Sequence, residues 1–275
     1  MSKKMSFENR PGYIWLDGKF VKWNKAKIHV LSHGLHYASC VFEGARVYNG
    51  KIFKLSEHTK RLFSSSRMLG FKLPFSMKKI NLACKQIVNK QKIKNGYLRP
   101  FAWRGSEMMA ISAQKTLIHV AIATWEMDTY FDKRKKFKGI KLQTSKWMRP
   151  PSNTAPTQAK AAGLYMICTL SKHVAEKNGY DDALMLDSNG YIAESTGANI
   201  FYVKNNKLYT PVADCFLNGI TRQTVIQLAK NNGISILEKK ISPKELLKAD
   251  EIFLTGTAVE ITPISRIDNK KFDVG

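Results

Sequence analysis

ESTGANIFYVKNNKLYTPVADCFLNGITR, residues 194–222, decides how this 275-residue chain reads. Glu194 ends one short apolar run, a small-residue turn follows, and Asn199 opens the strand Asn199–Val203. If that carboxylate is buried, it needs a cationic or proton-donating partner. The same stretch ends at Gly219-Ile220-Thr221, where a helix over Thr221–Lys230 begins and ends near Gly233. Free backbone N–H groups and the helix dipole make such a start favourable for a phosphate. Thr255-Gly256-Thr257, after the strand Glu251–Leu254, supplies a second small hydroxylated turn.

Upstream, Lys160 sits in APTQAKAAGLY (155–165), a proline-marked loop that runs through small residues into an apolar helix. A lysine with such small, uncharged neighbours has little reason to be a surface charge. A tight, partly desolvated lysine suits imine formation with an aldehyde cofactor. A pyridinium nitrogen would then be one partner for Glu194, since acidic groups tune that nitrogen in pyridoxal phosphate enzymes. A surface lysine would be another. No GxGxxG, P-loop, GxSxG or HExxH motif is present, which weakens dinucleotide, nucleotide-triphosphate, serine-hydrolase and zinc-protease readings. His29, His33 and His36 cluster in HVLSHGLHY without carboxylates and read as hydrogen-bonding histidines rather than metal ligands.

Composition agrees with a globular protein: 44% hydrophobic and 24% charged residues. No run approaches the about 18 apolar residues of a membrane span, and the MSKK start lacks the apolar run of a secretory signal. Cys40, Cys84, Cys168 and Cys215 are too scattered for a zinc knuckle or disulfide framework and read as reduced thiols of a cytoplasmic protein. Lys plus Arg is 45 against 21 for Asp plus Glu, a balance of +24. The lysines are scattered rather than striped, and no nucleic-acid-binding motif accompanies them, so a solvated basic surface accounts for the charge better than a nucleic-acid partner.

Outward from the centre, the chain reads as two mixed α/β domains. Residues 1–125 form a small N-terminal α+β domain. Its hairpins turn at Asp17-Gly18 and Asn49-Gly50, with Val41–Tyr48 leading into the second. A helix starts at a Ser56 N-cap and ends near Gly70; another starts at Ser76, with Ile80, Cys84, Ile87 and Val88 on one face. Strands at Gly96–Trp103 and Thr116–Trp125 follow. Residues 126–138, charged and without apolar period, read as the link. Residues 139–275 form a larger domain with a helix over Ala162–Lys177, and the site is expected in the interdomain cleft.

Glu194, Thr196, Asn199, Ile200, Phe201, Leu208, Thr210, Leu217, Gly219, Ile220 and Arg222 fit the class IV aminotransferase signature in every spacing. Within that class the chain resembles branched-chain amino-acid aminotransferases nearly end to end. The resemblance runs through HGLHYASCVFEGARVY (33–48), EHTKRL (57–62), GYLRP (96–100), RGSEMMAISAQ (104–114) and GTAVEITP (256–263). It implies a two-domain fold type IV enzyme, D-amino-acid-aminotransferase-like, that uses pyridoxal 5'-phosphate (PLP). The implied reaction moves an amino group between L-leucine, L-isoleucine or L-valine and 2-oxoglutarate.

The resemblance also implies roles. Lys160 corresponds to the lysine that forms the imine and shuttles the proton. Glu194 corresponds to the partner of the pyridine nitrogen and Tyr165 to that of the phenolic oxygen. Arg61, Gly219, Ile220, Thr221 and Thr257 correspond to the phosphate cup. Tyr97, with the Thr257 and Ala258 amides, corresponds to the α-carboxylate site; Phe42, Gly44 and Tyr130 line the side-chain pocket, and Arg99 meets the γ-carboxylate of glutamate. Tyr37 and Ile111 are implied to come from a partner subunit, hence a homodimer or an assembly of dimers. Two departures stand out: Met127 replaces a frequent tryptophan, and the chain stops at FDVG, so the terminal helix usual in relatives is expected to be missing. D-amino-acid and (R)-amine aminotransferases and aminodeoxychorismate lyase share the fold, but VFEG (41–44) and Tyr97–Pro100 favour the branched-chain reading. A non-catalytic basic binding protein of this fold would have no reason to keep Lys160, Glu194 and Arg61.

Overall fold

The computed structural model describes residues 6–275. It comprises two compact units: the chain up to Asp128 together with Ala159–Gly163, and Thr129–Gln158 together with Leu164–Gly275. Residues 159–163, which carry Lys160, therefore pack with the N-terminal unit although they lie in the C-terminal half of the sequence.

The first unit contains β1 (Tyr13–Leu16), β2 (Lys19–Lys22), α1 (His33–His36), β3 (Cys40–Phe42), β4 (Ala45–Tyr48), β5 (Lys51–Ile52), α2 (Leu55–Met68), α3 (Met77–Lys90), β6 (Gly96–Arg104) and β7 (Ile118–Glu126). Its antiparallel sheet has the order β2-β1-β7-β6-β4-β5, with β3 also on β6. Asp17 and Gly18, like Asn49 and Gly50, take positive φ, the twist a two-residue hairpin needs. The sequence reads Val41–Tyr48 as one strand, but it splits at Glu43-Gly44. β3 and β4 keep the same register along β6, Phe42 facing Phe101 and Ala45 facing Leu98. The gap falls opposite Pro100, which has no N–H to give the ladder and instead accepts a 2.7 Å bond from Glu43 N.

α3 starts where expected, with Ser76 Oγ accepting from Lys79 N, and buries Ile80, Ala83, Cys84, Ile87 and Val88. α2 begins one residue before the expected Ser56 cap, with Lys54 at the cap position in the left-handed region, and ends before Gly70 (φ 72°). Its buried face is unusually polar: His58, Thr59, Ser65 and Ser66 accompany Leu62. Polar groups on an inward face need partners: Thr59 Oγ1 donates to Asn81 Oδ1 and Ser66 Oγ to Phe63 O, while His58 and Ser65 meet residues of the candidate site.

The second unit contains α4 (Lys133–Lys138), β8 (Ile140–Thr144), α5 (Met166–Lys177), β9 (Asp182–Leu186), β10 (Ile192–Ser195), β11 (Asn199–Lys204), β12 (Lys207–Pro211), α6 (Ile220–Asn231), β13 (Ile236–Lys239), α7 (Pro243–Leu246), β14 (Glu251–Gly256), β15 (Glu260–Ile267) and β16 (Lys270–Lys271). The sheet order is β10-β9-β8-β15-β14-β11-β12-β13, and β10 also pairs with β11. That last pairing closes β8, β9, β10, β11, β14 and β15 into a ring. Closure removes two sheet edges and encloses a core built from Ile140, Leu142, Leu184, Ile200, Leu254 and Ile264 among others. The segment expected as a link is partly helical: Asp132 caps α4 by accepting from Arg134 N, and Lys136 pairs with Glu260 at 2.5 Å. Lys135 likewise pairs with Asp181 inside the second unit. The expected helix over Ala162–Lys177 opens with a 3-10 turn, Ala162–Tyr165, before α5 begins.

Candidate active site

Lys160 is stitched to the first unit through its own backbone. Its carbonyl accepts from Phe42 N at 3.0 Å, and its N–H donates to Ser65 Oγ of α2 at 2.9 Å. Val41 and Ala161 form an antiparallel bridge beside it. The amine lies 4.9 Å from the centre of the Phe42 ring. Loss of water pushes its pKa down from the usual 10.5 to about 8; Arg61 and Arg99 push the same way, while Glu43 and Tyr97 oppose them. A lysine tuned this way carries a larger fraction of neutral amine near neutral pH than a surface lysine does.

Around it the structure gathers most of the residues expected in this half of the chain. Arg61 Nε and Nη2 clamp Glu43 at 2.6 and 2.9 Å, and His58 Nδ1 meets the same carboxylate at 2.6 Å. Burial alone would raise the pKa of Glu43; the Arg61 charge, aided by His58, overrides it and holds the carboxyl at about 2. Tyr97 and Arg99 share one face of β6, with Arg99 Nη2 3.5 Å from the Tyr97 hydroxyl. The Arg99 guanidinium stands over the rings of Phe42 (4.7 Å) and Tyr97 (5.3 Å). A Cβ at Gly44 would lie 1.8 Å from the Tyr97 hydroxyl, so any side chain there would push the Tyr97 ring aside. Tyr37 and Ile111 stand on the surface, 46% and 87% exposed.

In the second unit, Glu194 is buried at the end of β10. Asn199 Nδ2 donates to its Oε2 at 3.2 Å, and Arg149 Nε lies 3.5 Å from Oε1. Asn199 also donates to Leu217 O and accepts from Gly219 N, each at 3.1 Å. One amide side chain thus ties the carboxylate to the approach of α6. Gly219 is the N-cap of α6 and no side chain caps that helix, so the Ile220 and Thr221 amides lie in a first turn suited to an anion. Thr257 and Ala258 follow β14 in a turn, Tyr165 closes the 3-10 turn before α5, and all three are half-buried. Tyr130 is 49% exposed, edge-on to Phe131. Burial raises the Cys168 thiol to about 11 and the Cys215 thiol to about 12, which removes both as nucleophiles.

Several signature residues build the scaffold instead of the site. Thr196 Oγ1 donates to Asp182 at 2.5 Å, Thr210 Oγ1 donates to Ile200 O at 2.8 Å, and buried Arg222 bridges Asn218, Pro211 O and Glu238. The sequence reading missed Glu43, His58 and Ser65. The signal was there: His58, Leu62 and Ser65 repeat at helical spacing, and two of the three are polar on an inward face. It also missed Arg149, whose charge burial opposes and Glu194, together with Cys168, Tyr165 and Cys215, restores. Nothing in RPPSNT (149–154) marks that arginine as buried. The three histidines serve as read: His33 and His36 Nε2 pair with backbone carbonyls, and His29 Nδ1 accepts from Leu31 N. Among the described residues there is no cluster suited to a metal ion, and no helix is long and apolar enough to cross a membrane.

The family model for class IV amino-transferases matches residues 40–267. The branched-chain-amino-acid aminotransferase of Pseudomonas aeruginosa is 42% identical over 275 residues, covering 98% of this chain and 90% of that protein. The crystal structure of the Escherichia coli branched-chain amino acid aminotransferase superposes with a TM-score of 0.92 at 37% identity, over 95% of this chain and 88% of that one. The T.th. branched-chain amino acid aminotransferase with pyridoxamine 5'-phosphate gives 0.92 at 38%, with the same coverage. Other structures of that enzyme hold 4-methylvaleric acid (0.90) and N-(5'-phosphopyridoxyl)-L-glutamate (0.91). By sequence and by fold, this chain belongs to the class IV aminotransferase family.

Proposed function

We propose that the chain is a branched-chain amino-acid transaminase that uses PLP to exchange an amino group between L-leucine, L-isoleucine or L-valine and 2-oxoglutarate. The observation that carries the reading is Lys160: an amine with its pKa lowered to about 8, over an aromatic ring and beside two arginines. The donor set fits the cofactor. It offers an amine for the aldehyde, a buried carboxylate for the pyridine nitrogen, and a guanidinium with an uncapped helix start for the phosphate. PLP, when bound, supplies an electron sink for the negative charge left at the substrate α-carbon.

The chain's own groups do the rest. Lys160 takes the α-proton and returns it, a task for which a pKa near 8 suits a base working near neutral pH. Glu194 holds a proton at the ring nitrogen, steadied by Asn199 and Arg149. Tyr165 meets the phenolic oxygen. Arg61, Thr257 and the first-turn amides of α6 from Gly219 through Thr221 hold the phosphate. Tyr97 with the Thr257 and Ala258 amides holds the α-carboxylate, while Phe42, Gly44 and Tyr130 bound the side chain. Arg99 receives the γ-carboxylate of glutamate. Tyr37 and Ile111, exposed on one copy, complete the site of a second, so the working enzyme is a homodimer or an assembly of dimers. Free thiols at all four cysteines suit a reducing compartment, and we place the reaction in the cytoplasm.

A transamination panel tests the reading. With 2-oxoglutarate as acceptor, L-leucine, L-isoleucine and L-valine should turn over well above D-alanine and an aromatic amine. A preference for D-alanine or the amine would overturn the substrate assignment while leaving the family untouched.

A further inference from the structure

The inward face of α2 and the Glu43-Gly44 break meet in a buried ion cluster. Glu43, 0% exposed, takes Arg61 through Nε and Nη2, His58 through Nδ1, and Gly44 N at 3.3 Å. An ionised carboxylate only accepts, so His58 Nδ1 carries the proton here. Burying such a group is costly, and an apolar residue would fill the volume with a smaller penalty. A buried charge that packing does not require calls for another use.

We propose that Glu43 is a positioning residue for Arg61, fixing the guanidinium as a preset fork for the cofactor phosphate, with His58 bracing the carboxylate from the other side. The inference rests on Arg61 being a phosphate ligand. Arginine carries large rotamer freedom, and a fork already held in place loses little of it when an anion arrives. The negative charge does a second job. Arg61 and Arg99 both act against protonation of Lys160, and Glu43 opposes them. Without Glu43, three cationic groups would face one another before any phosphate had bound.

The test separates phosphate recognition from general damage. The full chain is loaded by equilibrium dialysis with PLP or with pyridoxal, which lacks the phosphate. Glu43→Gln should raise Kd for PLP about tenfold or more. It should change Kd for pyridoxal by no more than about twofold. Arg61→Gln should do the same, and Glu43→Asp, which keeps the charge, should recover part of the loss. If Arg61→Gln abolishes the preference for PLP and Glu43→Gln preserves it, Glu43 is only a structural brace and the proposal is overturned while the role of Arg61 stands. If neither variant alters the preference, Arg61 does not bind the phosphate and both readings fall. Should Glu43→Gln fail to fold, Glu43→Asp decides: selective weakening of PLP supports the positioning role, and equal weakening of both ligands refutes it.

Discussion

Glu194 and Asn199 face each other across the backbone pairing that closes the six-stranded ring of the second unit, and their side chains meet at 3.2 Å. The residue proposed to face the ring nitrogen is thus also a closure residue of the barrel. Asn199 reaches further, to Leu217 O and Gly219 N. It locks the ring closure, the carboxylate and the start of α6 into one geometry. Positions set by a closed ring of hydrogen bonds are more precise than positions on a loop, which is what charge stabilisation at a reacting centre demands.

Glu194→Gln should leave the barrel closed and the cofactor bound, because the amide keeps the size of the carboxylate and one acceptor oxygen. It cannot hold a protonated ring nitrogen. Removal of the α-proton should slow by about 10²-fold or more, the scale of losing one preorganised charge at a reacting centre. Single-turnover absorbance with L-leucine measures it. An unchanged rate would reduce Glu194 to a partner for Arg149.

Asn199→Ala removes three hydrogen bonds, those to Glu194 Oε2, Leu217 O and Gly219 N. Each such loss costs about 1–3 kcal/mol before relaxation, so a net destabilisation of about 2–4 kcal/mol is expected. Denaturant titration reads it directly. Asn199→Asp should be worse, since it sets a second carboxylate against Glu194. A loss below about 0.5 kcal/mol in Asn199→Ala would mean that water or the backbone takes over these bonds.

Local chemistry was legible in the sequence, and long-range closure was not. Asp17-Gly18, Asn49-Gly50 and the Ser76 cap announce themselves because their geometry is decided within four residues. The signature from Glu194 to Arg222 was visible as spacing, yet the spacing does not say that Arg222 is a buried brace while Asn199 organises the site. Ring closure depends on the parallel neighbours β8 and β15, more than a hundred residues apart, and on a pairing that only the folded barrel brings about. The placement of Lys160 shows the same limit. Its loop was readable as unusual, but its attachment to β3 and α2 joins residues about a hundred positions apart.

Lys160, proposed above as the imine-forming lysine, also has a stability signature. Its pKa falls from 10.5 in the unfolded chain to about 8 in the folded one. Below pH 8 both states are protonated and the folded state bears the full cost of the charge. Between about 8 and 10.5 the unfolded chain holds a proton that the folded chain has released, so stability from this group rises with pH. Cofactor-free Lys160→Met should therefore be more stable than wild type at pH 7, with the gap closing towards pH 10.5, and it should lose nearly all turnover. Denaturant midpoints across that range check the first claim. Parallel curves for the two proteins would show that the amine is not desolvated, and multiple turnover within a few fold of wild type would remove Lys160 from the chemistry.

The last prediction concerns how one site takes both leucine and glutamate. An apolar pocket rejects a bare carboxylate, because burying an unpaired charge costs several kcal/mol or more. A cation must stand at its edge, able to pair with glutamate and yet to remain satisfied when leucine is present. Arg99 is the residue proposed for that place. With its guanidinium over the faces of Phe42 and Tyr97, it has a resting place that needs no carboxylate. Such stacking contributes about 0.5–2 kcal/mol per ring, less than a charge-assisted pair, so an arriving γ-carboxylate can draw the fork to itself. Arg99→Met keeps the length and apolar contact of the side chain and removes the charge. KM for glutamate and 2-oxoglutarate should rise by about 10²-fold, the cost of one lost charge-assisted pair, while KM for leucine and its keto acid moves by no more than about threefold. Arg99→Lys should recover only part of the loss, since an ammonium offers no planar fork to the carboxylate and stacks less well on the rings. If both half-reactions weaken to the same degree, Arg99 braces the end of β6 and the recognition of glutamate lies with another residue.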